Sequence, residues 1–90
     1  MFKRWIAKIK VKRLLKGLKR NAEEISIAAY HLRTSGAFKQ ILNSDAEVFP
    51  KSLLLEGREV ELEVAEACEK LARKYRELIE AVEDFIKTYC

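Results

Sequence analysis

The 90-residue sequence predicts an all-α fold: a long antiparallel two-helix hairpin with a short helical connection, dimerising into a four-helix bundle. Three observations carry that prediction. Apolar residues recur at alternating steps of four and three through the second half, a looser form of the same period runs through the first, and only three Gly and one Pro interrupt the chain. Hydrophobic residues at 49% and charged residues at 36% suit a helical globular or coiled-coil chain and argue against a disordered one. The length allows a single domain, residues 1–90, and one chain of that size buries too little surface to be very stable alone. A homo-oligomer, in its simplest form a dimer, is therefore expected.

Helix one is expected over about residues 3–34. Val11, Leu18, Ile25 and Leu32 follow one another at steps of seven, with Leu14, Leu15, Ala22, Ala28 and Ala29 beside them. The small alanines would let a partner helix come close, and Asn21 on the stripe would fix register at some cost in stability. Ser35 and Gly36 stop the helix, with Gly36 expected in the left-handed conformation after its last turn.

Residues 37–57 read as a structured connection. AFKQILN forms a short helix or a final turn, SDAE (residues 44–47) has the pattern of a capping box, and Pro50 biases Phe49 toward an extended conformation. Phe38, Ile41, Leu42, Val48, Phe49, Leu53, Leu54 and Leu55 are too apolar for a solvated loop, so this connection should pack over one end of the hairpin.

Helix two is expected over about residues 59–89. Val64, Cys68, Leu71, Tyr75, Leu78, Val82, Phe85 and Tyr89 form a heptad seam, and Ala65, Ala72, Ile79 and Ile86 widen it into a stripe broad enough for a multi-helix bundle. A competing reading exists at its start. LLLEGREVELEV (residues 53–64) alternates at Val60, Leu62 and Val64, with Gly57 in a turn-like position, as a β-hairpin would.

The net charge of +4 conceals an asymmetry: residues 1–20 carry nine bases and no acid, whereas residues 56–84 hold ten acids against five bases. Lys3, Arg4, Lys8, Lys10, Lys12, Arg13, Lys16, Lys19 and Arg20 are thus candidate polyanion-binding residues. On a helical wheel Phe2, Trp5, Ile6 and Ile9 lie almost opposite Val11, Leu14, Leu15 and Leu18, so the apolar face switches near Lys10. Residues 1–13 become a basic N-terminal extension of helix one, with Phe2, Trp5, Ile6 and Ile9 as a candidate interface.

Four readings of this extension compete. Another subunit can cover the patch, with acids such as Glu59, Glu61, Glu63, Glu66 and Glu69 meeting the lysines. DNA or RNA can be held through its phosphates without sequence reading, with Trp5 stacking on an exposed base. An anionic membrane surface suits the mixture of Trp, Phe, Lys and Arg, although the face switch weakens that reading. Finally, Trp5, Ala7, Ile9 and Val11 alternate as in a strand. The function expected is a small non-enzymatic interaction or assembly module whose basic N-terminal helix binds nucleic acid non-specifically. A purely structural homo-oligomeric bundle and peripheral membrane binding are the alternatives.

Catalysis finds no support in the residues. His31 is the one histidine and has no acid or cysteine at ligand spacing; Glu23-Glu24 and Glu83-Asp84 are sequence neighbours that diverge by about 100° on a helix. Neither Gly17 nor Gly57 belongs to a phosphate-cradling loop, so no cofactor, metal or small-molecule substrate is expected. The N-terminal apolar runs are too short and too often broken by Lys to cross a bilayer, and they lack the uninterrupted apolar core of a secretory signal. Cys68 and Cys90 make no metal or redox spacing, and a reducing, cytoplasmic setting is the expectation.

Overall fold

In the computed structural model the backbone is described for residues 2–44 and 48–89, and side chains for residues 5–43 and 48–88. Three helices follow in order: α1 (Phe2–Ser35), α2 (Ala37–Ser44) and α3 (Lys51–Tyr89). Among the described residues there is no strand, so residues 53–64 are helical and the alternation at Val60, Leu62 and Val64 is incidental. The capping-box reading of residues 44–47 lies outside the described side chains.

α1 and α3 run antiparallel in a fixed register. Lys19 Nζ stands 3.7 Å from Glu83 Oε1, Arg76 Nη2 lies 3.5 Å from Ser26 Oγ, and Arg33 bonds Glu69. Seven residues forward on α1 thus match seven residues back on α3. The resulting hairpin is a rod of 68 × 15 × 14 Å with a radius of gyration of 19.8 Å, against about 12 Å for a compact chain of this length. Much of its apolar surface therefore stays near solvent.

The helices meet through small side chains. Ala22 and Ala29 of α1 and Ala65, Ala72 and Ile79 of α3 are buried, each helix placing them at seven-residue spacing. Methyl groups at the four alanines let the two backbones approach closely there, as the alanines of helix one led us to expect, while Ile79 and Leu54 add larger buried side chains toward the two ends of α3. The seam expected on α3 divides at this contact. Val64, Leu71, Leu78 and Phe85 remain 45–50% exposed, while the column expected only to widen the stripe faces α1. Midway along the hairpin the small residues take the helix contact, and Val64, Leu71 and Leu78 stand beside it.

α3 begins at Lys51, earlier than residue 59, and so takes in residues 51–57 of the expected connection. Pro50 sits at the helix start, where its missing N–H costs nothing, and its carbonyl accepts the Leu54 N–H at 3.2 Å. Gly57 is no turn: it lies within α3 beneath the Phe38 ring, which would collide with any Cβ there. Tertiary packing of α2 on α3 thus holds a helix that the local pattern leaves ambiguous.

Only Gly36 separates α1 from α2. Its φ is not positive, so the left-handed cap is not formed. Glycine is needed here for close approach: an added Cβ would run into the Glu61 carboxylate and lie 2.8 Å from the Leu32 carbonyl oxygen. In place of a glycine cap, α3 supplies the caps by side chain. Arg58 donates from Nη1 to Leu32 O and from Nη2 to Arg33 O, both at 2.7 Å, satisfying the last carbonyls of α1. Glu61 Oε1 accepts the Phe38 N–H at 3.0 Å in the first turn of α2, and also lies 3.7 Å from Arg58 Nη1. Cation to helix C-terminus and anion to helix N-terminus is the arrangement the helix dipole favours.

Candidate polyanion-binding surface

The register decides which basic residues stand alone on α1. With Lys19 beside Glu83, the last helical residue of α3, Tyr89, comes level with about Arg13. Residues 2–12 extend past it by roughly 15 Å at the helical rise. Lys10, Lys12, Arg13, Lys16, Lys19 and Arg20 are exposed and Lys8 is half-buried, whereas the side chains of Lys3 and Arg4 lie outside the described set. Among the described residues Lys19 is the one candidate cation in an ion pair. Beside residues 13–20, the end of α3 (residues 82–89) carries two acids, Glu83 and Asp84, and one base, Lys87, too little acid to compensate the four bases there.

The expected interface patch lies in the same segment. Trp5 is 60% exposed, Ile6 and Ile9 are half-buried, and the Phe2 side chain is outside the described set. α1 is helical from Phe2 onward, which removes the strand reading of Trp5 to Val11.

Farther along, the two helices are clasped on one side by polar groups. Arg33 donates from Nε and Nη2 to Glu69 Oε1, and that hydrogen bond, with the Arg33 charge, holds the Glu69 carboxyl below its ordinary range. The same bond raises the Arg33 guanidinium above its own. Both groups are open to solvent, so the clasp sets register more than it adds stability. Glu61, Glu66 and Glu69 lie along α3 at the end of α1, far from its basic start, so within one chain the acid-rich and base-rich segments occupy opposite ends.

His31 is exposed and meets Tyr30 edge-on, with ring centroids 6.1 Å apart. Cys68 is a half-buried free thiol. Among the described residues no group of three or more His, Cys, Asp or Glu side chains is placed to hold a metal ion, and no helix is long and apolar enough to cross a membrane. Sequence reasoning missed Arg58 and Glu61 as structural caps. Their signal was available: with Leu54 and Ala65 they keep the four-three spacing of the column that faces α1, an unusual place for charge unless it is paired. No protein family, curated protein or solved structure matches the chain.

Proposed function

We propose that this chain is a small non-enzymatic interaction module that self-associates and holds a polyanion, DNA or RNA, through the basic start of α1. The observation that carries the reading is the run of exposed cations from Lys10 to Arg20 on one continuous helix, with one ion pair among them. A straight helix spaces such charges along one rod, and phosphates repeat along another; neutralising them releases counterions without any base being read. Trp5, exposed within the same positive field, adds a flat surface on which an unpaired base can stack.

The test is titration of mixed-sequence single- and double-stranded oligonucleotides with the whole chain and with a variant lacking residues 1–13. Binding at low salt that disappears with the deletion supports the reading. Absence of binding by the whole chain at low salt refutes it and favours a purely structural bundle. If the chain binds anionic vesicles with a Trp5 blue shift, and oligonucleotides do not compete, the polyanion is a membrane surface instead.

A further inference from the structure

The hairpin has two unlike sides. The polar clasp of Lys19, Ser26 and Arg33 against Glu83, Arg76 and Glu69 occupies one of them. The contact column continues one seven-residue step to the half-buried Leu15 on α1 and Arg58 on α3. Each of the six clasp residues then lies four positions after one of its members, which on antiparallel helices places all six on the same side of the pair. By the same rule the residues three and six positions after the column share the other side. There α1 presents Leu14, Leu18, Ile25 and Leu32, and α3 presents Val64, Leu71, Tyr75 and Leu78. Leu14 is 55% exposed, and Val64, Leu71 and Leu78 are 45–50% exposed. Leu32 and Val64 line one groove of about 410 Å³ with Phe38, Leu53 and Val60, so the three helices all contribute to this side.

We propose that a second copy of the chain covers this side with its own, running in the opposite direction, so that α1 lies over α1 and α3 over α3. The inference rests on the self-association in the function proposed above and adds its face and direction. Two observations select this occupant. The first is area: the side runs some 30 Å along two helices about 9 Å apart, enough to bury on the order of 1,200 Å² between two copies, the size of a stable interface. The second is charge. Residues 1–20 carry nine bases and no acid at one end of the rod, while residues 51–70 carry six acids against three bases at the other. Antiparallel copies set each basic end over an acidic one. Copies related by an axis along the rod would set nine bases beside nine.

Spin labels test the direction. Lys10→Cys in a Cys68→Ala/Cys90→Ser background carries one label per chain, at an exposed position near the end of α1. In the proposed pair the two labels are about 45 Å apart, the 68 Å rod less the distance from Lys10 to each end. Leu71→Glu/Leu78→Glu in the same background abolishes the dipolar coupling while the helical circular dichroism of the hairpin remains. A distance near 20 Å overturns the antiparallel direction and leaves self-association standing. Uncoupled labels at micromolar concentration overturn both, whatever the outcome of the oligonucleotide titration. Coupling that survives the double variant overturns the assignment of the face.

Discussion

At the scale of single residues, Arg58 and Glu61 do what no backbone motif does at the α1–α2 break. Arg58 closes the carbonyls of Leu32 and Arg33, and Glu61 closes the Phe38 amide. Arg58→Ala removes the Leu32 cap, leaves the Arg33 carbonyl only the longer bond from Lys39 Nζ at 3.4 Å and leaves Glu61 without its cation. We expect a loss of about 1–3 kcal/mol, read as a lower midpoint in denaturant with an unchanged slope. Arg33 and Glu69 behave differently because they are exposed. The Glu69 carboxyl is held below its ordinary range by the Arg33 hydrogen bond, so its contribution is present above the unfolded carboxylate value and is lost as pH falls through the folded one. Glu69→Gln should therefore be less stable than the parent at neutral pH, and the gap should close in acid, as thermal melts across pH would record. A gap that widened in acid would contradict the pairing.

At the scale of elements, the hairpin is set by alanines. Ala72 is 3% and Ala29 2% exposed, so Ala72→Leu forces the helices apart and should cost about 1–3 kcal/mol in thermal or denaturant melts. Both long helices were legible in the sequence because a four-three period survives over many turns in Val64 to Phe85 and in Val11 to Leu32. Which column of α3 faces α1 was not legible: Val64, Leu71, Leu78 and Phe85 are the bulkier apolar set, yet Ala65, Ala72 and Ile79 are the buried one, with two alanines that let α1 come close. The start of α3 was hidden for a related reason. Gly57 and the alternation around Val60 read locally as a turn and a strand, and only Phe38, from another helix, explains a glycine there. Gly36 was read correctly as a break, but the cause is the Glu61 carboxylate and not a left-handed backbone.

At the scale of the whole molecule, the register divides α1 into two parts with separate work. From about Arg13 onward it packs on α3, and before that it projects as a basic helix. The charge asymmetry that was plain in the sequence becomes an axial one in the rod, with Glu61 and Glu69 at the far end from Lys10 and Lys12. Cations differ in what they can offer. Lys12 is exposed and outside any ion pair among the described residues, whereas Lys19 is held by Glu83. Lys12→Ala should therefore reduce the salt dependence of duplex binding by about one phosphate contact, and Lys19→Ala by less.

The salt dependence of affinity tests the central claim, that the projecting start of α1 holds a polyanion through its phosphates. The measurement is fluorescence anisotropy of a labelled duplex of mixed sequence, titrated with the whole chain between 50 and 200 mM salt. About five phosphate contacts from residues 1–13 predict a logarithmic slope of about −4 to −5 or steeper, falling by that amount when those residues are removed and leaving only the shallow dependence that Lys16, Lys19 and Arg20 supply. A slope near zero for the whole chain, or one that the deletion leaves unchanged, would contradict the account.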